Sequence, residues 1–257
     1  MYLDRFNLSG KIALITGAAR GIGAATADAL SEAGAHVIIA DLRADAAAAT
    51  AAALTARGRS TEALALDVTS VASVTAAHRA VLANHGRLDI LVNNAGIARS
   101  FIKAEDMTDE DWLSVLDVNL NGVFWCSRAF GRSMIAAKSG VVVNIGSMSG
   151  DIVNRPQEQA QYNASKAAVH HLTRSLAVEW APHGIRVNAV APTYIATELT
   201  QFVYDNPGLM QNWVGGTPMN RMGTPDEIAA VVLFLASPAS SLLTGAIVAA
   251  DGGYTCW

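Results

Sequence analysis

The run Tyr162-Asn163-Ala164-Ser165-Lys166 sets a phenol and an ammonium four residues apart. On a helix that spacing puts both side chains on one face, about one turn from each other. A free phenol ionises near pH ~10 and is a poor base at neutral pH. An ammonium at ~4 Å, at an effective dielectric of ~20, would stabilise the phenolate by up to ~4 kcal/mol, about three pKa units. Tyr162 would then ionise in the range where an acid–base catalyst is useful. Upstream, in Asn144-Ile145-Gly146-Ser147-Met148-Ser149, the hydroxyl of Ser147 or Ser149 could hold a reacting oxygen. A bare Tyr-x-x-x-Lys is more often an ordinary helix surface, so the surrounding elements must decide.

Those elements alternate. Val141 to Ile145 is a short apolar, β-branched run suited to a buried strand, and an apolar-periodic helix follows Tyr162. At the start of the chain, Lys11 to Thr16 reads as a buried parallel strand. It runs into Gly17-Ala-Ala-Arg20-Gly21-Ile22-Gly23, then a helix closed by Gly34, then a strand ending at Asp41. Strand, glycine-rich turn, helix, strand is the setting of a phosphate-binding loop. Gly17 would allow the tight turn, Gly21 would let backbone approach a pyrophosphate, and Gly23 would pack helix on sheet. The helix N-terminus would add N–H donors and a favourable dipole.

Asp41 ends the second strand, where a carboxylate can accept hydrogen bonds from ribose hydroxyls and repel a 2′-phosphate, which argues for NAD over NADP. Arg20 and Arg43 pull the other way, since either could meet a phosphate. Residues 44–58 read as an alanine-rich helix and Glu62 to Val68 as a third strand. Asp67-Val68 falls at its C-terminal end, where ligand sites of α/β folds gather, although Asp67 could equally cap the next helix. After a helix over 70–85, Leu88 to Gly96 is a buried strand running into Asn93-Asn94-Ala95-Gly96 at the same edge.

Taken in order, Thr16-Gly-x-x-x-Gly-Ile-Gly23, Asp67-Val68, Asn93-Asn-Ala-Gly96 and Tyr162-x-x-x-Lys166 resemble the motifs of the short-chain dehydrogenase/reductase family over essentially the whole chain. The resemblance implies an α/β fold: one Rossmann-type domain over residues 1–257, with helices on both faces of a mostly parallel seven-stranded sheet ordered 3-2-1-4-5-6-7. It implies a nicotinamide cofactor and usually a homotetramer, with the helix through Trp125 to Phe130 at a subunit interface. The family's catalytic set falls on Asn119, Ser147, Tyr162 and Lys166, with Asn119 holding a proton relay. Ser147 is chosen over Ser149 by aligning the strand end, although the spacing to Tyr162 is two residues longer than in many members. The cofactor set comprises Gly17, Arg20, Gly21, Ile22, Gly23, Asp41, Asp67, Val68, Asn93, Ala95, Gly96, Tyr162, Lys166, Pro192, Ile195 and Thr197. Thr193 stands where the family usually has glycine.

Gly150 to Pro156 resembles the loop of polyol dehydrogenases within that family. Ser147, Ser149, Asn154 and Tyr162 would then face a polyol or diol, whose hydroxyls need partners once desolvated. As a bare residue, Asn154 could equally shape the turn before Arg155-Pro156. Residues 198–220 read as a helical lid, in which Trp213 and Tyr204 would line the pocket or hold the lid down. The activity implied is hydride transfer between a secondary alcohol and NAD. Rival readings are an NADPH-dependent 3-oxoacyl-carrier-protein reductase and a nucleotide-sensing binding protein without turnover.

Composition narrows the classes. A net charge of −4, with no block of Lys or Arg, gives no support for nucleic-acid or anionic-membrane binding. The two cysteines, Cys126 and Cys256, form no paired motif, so a reducing cytoplasm is expected, and no metal ligand set stands out. The first residues lack an apolar signal core, and no apolar run approaches the ~20 residues of a membrane span.

Overall fold

The computed structural model describes residues 1–257. Seven parallel strands form one sheet in the order β3-β2-β1-β4-β5-β6-β7, as the resemblance implies. The strands are β1 (Ile12–Thr16), β2 (His36–Asp41), β3 (Thr61–Ala65), β4 (Ile90–Asn93), β5 (Gly140–Ile145), β6 (Ile185–Pro192) and β7 (Ile247–Ala250). Between and after them run α1 (Gly21–Glu32), α2 (Ala44–Ala56), α3 (Val71–His85), α4 (Asp109–Leu116), α5 (Gly122–Ala137), α6 (Ala160–Trp180), α7 (Pro207–Gly215) and α8 (Pro225–Ala236). No helix is long and apolar enough to cross a membrane.

Strand alternation sends successive side chains to two separate cores. Ala13, Ile15, Val37, Ile39, Ile90, Val92 and Val143 pack with α1, α2 and α8 through Leu30, Leu54 and Val232. Leu14, Ile38, Leu91 and Val142 pack with α3, α5 and α6 through Val81, Phe130 and Leu176. Both faces of the sheet are covered, which is why its strands read as continuous apolar runs instead of alternating ones. Because the strands are parallel, the C-termini of β1, β4 and β5 share one rim, where the loops after them meet.

Two local expectations are corrected. Strand β3 stops at Ala65, so Asp67 and Val68 lie in the loop beyond it. The cap of α3 is Ser70, whose side chain accepts from the Ser73 N–H; Asp67 instead accepts from the N–H and hydroxyl of Thr69. The helix that carries Asn119 runs on without interruption through Trp125 to Phe130, widening into a π turn over Asp117–Asn121 between α4 and α5. Helix α8 starts as its sequence suggests, with Pro225 at the first turn and a capping box between Thr224 and Glu227.

Candidate active site

At the C-terminal rim the loops enclose a cleft of about 580 Å³. One half is built on the glycine-rich turn after β1. Gly17 and Gly21 adopt φ of +61° and +56°, a region that strains any residue with a side chain. A Cβ on Gly17 would stand 2.8 Å from the Ala95 Cα, so the turn can lie against the end of β4 only as glycine. Asn94 fastens this contact: its Nδ2 donates to the carbonyls of Thr16 (2.9 Å) and Gly17 (2.8 Å), while Thr16 Oγ1 accepts from the N–H groups of Asn94 and Ala95. Asp41 closes the far side. Its Oδ2 accepts from the Ala19 N–H at 3.1 Å and its Oδ1 from the Arg43 N–H at 3.1 Å. Arg20 already has a partner, an exposed ion pair with Glu198 across the cleft mouth. Exposed pairs of this kind contribute at most ~1 kcal/mol.

Most of the cofactor residues expected from the sequence line this cleft: Gly17, Arg20, Gly21, Ile22, Asp41, Asp67, Val68, Ala95, Gly96, Pro192, Ile195 and Thr197. Two do not. Gly23 sits inside the first turn of α1, where a Cβ would meet the Gly17 carbonyl oxygen at 2.5 Å. Asn93 is buried, and its Nδ2 donates to Ser127 Oγ (2.9 Å) and Asn144 Oδ1 (2.8 Å), inside the layer of α5 and α6. Period-two alternation explains this, because the neighbouring Asn94 takes the outward direction. Of the two asparagines of this motif, the one that reaches the cleft is therefore Asn94, which the sequence-based cofactor set leaves out.

The cleft suits a nicotinamide dinucleotide on grounds internal to the chain. Its glycines leave room that side chains would fill, and the N-terminus of α1 opens into it. Thr193, also in its wall, carries a hydroxyl that is buried without a hydrogen-bond partner. A buried polar atom left unpaired is costly, and a polar ligand group would satisfy it.

The other half gathers the side chains expected to carry the chemistry. Helix α6 begins at Ala160, so Tyr162 and Lys166 lie one turn apart on it. Ser147 caps the short 3-10 turn after β5, with its hydroxyl accepting from the Ser149 N–H and donating to Ser149 Oγ at 3.0 Å. The Ser147 hydroxyl lies near enough to the Tyr162 phenol to act on its ionisation. His170, one turn beyond Lys166, backs this loop. Its ring lies 3.5 Å from the Ser147 N–H through Nε2 and 3.2 Å from Asp151 through Nδ1.

The electrostatics differ from the expectation of a lowered phenol pKa. Burial pushes the Tyr162 pKa up, and the nearby Ser147 hydroxyl only partly offsets this. The Lys166 ammonium stands 5.6 Å from the tyrosine ring centroid and donates instead to the Ile145 carbonyl at 2.8 Å. Burial lowers its own pKa from 10.5 to about 8. Desolvation of two adjacent groups outweighs their mutual attraction at this separation. Asn119 lies in the π turn, buried, and does not line the cleft. Its side chain brackets Ile97, accepting from its N–H and donating to its carbonyl at 2.9 Å each, and donates to Ser165 at 3.2 Å. A π turn at such a place is common at functional sites.

The far end of the cleft is lined by amides and rings. Asn154 and Gln157 donate to the Tyr194 hydroxyl at 3.3 and 3.2 Å. Gln159 donates to Asn154 Oδ1 at 3.0 Å, and Trp213 Nε1 donates to Gln157 Oε1 at 3.2 Å. Trp213 stacks on Tyr194 with centroids 3.9 Å apart and planes within 5°. Asn154 is thus held in a buried network, not used to shape the turn before Pro156. Trp213 both lines the cleft and anchors α7 of the expected lid, whereas Tyr204 is exposed and lines nothing. Gln157, Gln159 and Tyr194 are residues that the sequence reading misses. The regular Gln157-Glu-Gln159-Ala-Gln161 run just before Tyr162 is the available signal.

A family model described as enoyl-(acyl carrier protein) reductase, adh_short_C2, matches residues 17–255. The chain is 58% identical over 257 residues to galactitol 2-dehydrogenase of Rhizobium johnstonii, covering 100% of this chain and 99% of that one. The chain belongs to the short-chain dehydrogenase/reductase family. Among solved structures, a short-chain type dehydrogenase/reductase from Mycobacterium marinum superposes with a TM-score of 0.96 at 43% identity, both chains fully covered. A gluconate 5-dehydrogenase from Burkholderia cenocepacia, in complex with NADP and tartrate, superposes with a TM-score of 0.95 at 39% identity, again over both whole chains. Short-chain dehydrogenases are oxidoreductases that use a nicotinamide cofactor, and the fold and cleft of this chain are of that kind.

Proposed function

We propose that this enzyme is an NAD-dependent polyol dehydrogenase, interconverting a secondary alcohol of a galactitol-like polyol or diol and the corresponding ketone. The observation that carries the reading is the end of the cleft beyond Tyr162. There Ser149, Asn154, Gln157, Gln159, Tyr194 and Trp213 offer amides, hydroxyls and rings, with no cation or carboxylate among them. A neutral polyhydroxylated chain finds donors and acceptors in such a lining, while a carboxylate would be desolvated without a counter-ion. The name of the Rhizobium relative points to the same substrate class.

The nicotinamide ring would accept and donate the hydride. The chain's own residues handle the proton and the charge. Once its own proton has left through the relay, Tyr162 Oη takes the proton of the substrate hydroxyl on oxidation, and it returns that proton on reduction. Ser147 Oγ donates to the substrate oxygen as charge builds there. Lys166 places a cation between the Ile145 carbonyl and the cofactor half of the cleft. Asn119 steadies Ile97 and Ser165 around that lysine and supports the proton relay.

The choice of NAD rests on Asp41. A 2′-phosphate at ~4 Å from its carboxylate would cost up to roughly 4 kcal/mol per unit charge at an effective dielectric of ~20. The assay is reduced-cofactor absorbance with NAD and with NADP against polyols, aliphatic diols and 3-hydroxyacyl thioesters. Polyol oxidation with NAD, shifted toward NADP in Asp41→Ser, is expected. Thioester turnover with NADP alone would replace this reading by a 3-oxoacyl-carrier-protein reductase, and cofactor binding with no turnover of any substrate by a nucleotide sensor. A homotetramer is the assembly proposed, tested by light scattering.

A further inference from the structure

At the rim of the sheet opposite the cleft, His36, Glu62 and His85 converge from three elements that are far apart in sequence. Glu62 is paired with Ile38 in the β2–β3 register, and His36 lies two residues before Ile38, hence on the same face. Val81 of α3 is buried against that face with Ile38, and His85 follows it by one turn. Register and helix spacing together thus bring the three side chains to one place.

Their ligand atoms all lie within 4.8 Å of one another. His85 Nε2 is 2.7 Å from Glu62 Oε1, and His36 Nε2 is 3.7 Å from Glu62 Oε2. His36 Nε2 is buried and has no hydrogen-bond partner, whereas its Nδ1 meets Ser60 Oγ at 2.8 Å. With the ring proton on Nδ1, Nε2 presents a lone pair toward a carboxylate, an arrangement that a cation between them would satisfy.

We propose that His36 Nε2, His85 Nε2 and the Glu62 carboxylate bind a zinc ion, with water as the fourth ligand. Two imidazoles and one carboxylate are a zinc-type donor set with an open position, and ligands at ~2.0–2.1 Å around a tetrahedral ion stand roughly 3.4 Å apart. The present spacings straddle that value, so the three side chains need only small adjustments. Ser60 would orient His36, as hydrogen-bonded partners of ligating histidines do. The ion would tie the edge strand β3 to β2 and α3, far from Tyr162, and so act on stability instead of turnover.

The test uses chelator-treated full-length protein titrated with zinc chloride by calorimetry, with thermal melts with and without zinc. One ion per chain is expected, with a rise in Tm. His36→Gln and His85→Gln should abolish both effects. Ser60→Ala, which leaves every ligand in place, should weaken binding about 10-fold. Cobalt(II) in place of zinc should give the intense visible bands of a tetrahedral centre, absent from the His36→Gln protein. The absence of saturable uptake would overturn the proposal. So would uptake and a Tm rise that persist unchanged in the His36→Gln/His85→Gln double variant.

Discussion

Replacing Lys166 by methionine should make the cofactor-free protein more stable at neutral pH while abolishing activity. Burial lowers the lysine pKa from 10.5 to about 8. The folded state therefore carries a charge penalty of about 3 kcal/mol below pH 8, at about 1.4 kcal/mol per unit. Between about pH 8 and 10.5 the unfolded chain binds more protons at this group than the folded one, so the wild type gains stability as pH rises. The Lys166→Met change would remove the penalty but leave the Ile145 carbonyl, now paired with the ammonium, without its partner. That loss costs about 1–3 kcal/mol and is independent of pH. At pH 7 the variant should thus equal or exceed the wild type by up to about 2 kcal/mol. From pH 7 to pH 10 the difference between the two proteins should move by roughly 2.5 kcal/mol in favour of the wild type. At roughly 2 °C per kcal/mol for a chain of this size, that is about 5 °C in relative Tm. Paired thermal melts across this range, without cofactor, read it directly. A stability difference that does not change with pH would refute the reasoning, because it would mean that the folded protein does not penalise the lysine charge.

Three further outcomes follow from the same geometry. A difference absorbance titration of wild type against Tyr162→Phe, without cofactor, should show a phenol ionising above pH ~10, since burial raises it; a transition near neutrality would contradict this. Gly17→Ala combines a positive φ with a 2.8 Å approach to the Ala95 backbone, so it should lose about 1–3 kcal/mol of stability and raise the cofactor KM together. Unchanged melting and KM would show that the turn is not held against β4. Trp213→Phe keeps the ring stack on Tyr194 but strips the donor from Gln157, so steady-state kinetics should show a polyol KM raised several-fold with kcat less affected.

The positions of β1, β2 and β5 are legible because buried parallel strands are continuous apolar runs punctuated by glycine and asparagine, whereas the sheet order is what the resemblance of the motif set implies. Asp41, Tyr162 and Lys166 stand out for a related reason, since each sits at a strand end or at the start of a helix that follows one, whereas the choice of Ser147 over Ser149 comes from the resemblance. What stays hidden depends on three-dimensional distance. The charge state of Tyr162 cannot be read from its spacing to Lys166, because desolvation is set by the loops that close over both. The π turn at Asn119 goes with a side chain that brackets Ile97, a partner 22 residues away. Which of Asn93 and Asn94 faces the cleft depends on strand phase at the last residue of β4. The amide cluster around Tyr194 draws Gln157 and Trp213 together across 56 residues.

Asn93 and Asn144 are direct register partners on β4 and β5, and they share one chain of contacts reaching Ser127 on α5 and Thr173 on α6. Apolar side chains tolerate a strand that slides, because one methyl replaces another. Amides do not. A one-residue slip of β4 against β5 would turn Asn93 to the other face and leave Asn144 Oδ1 and Ser127 Oγ without the amide that donates to them, at about 1–3 kcal/mol each. Misaligned sheets are thereby penalised by several kcal/mol before any ligand arrives. The same small group thus works as a key that admits one alignment of the central strands, and with it one relative placement of the cofactor loop after β4 and the serine loop after β5.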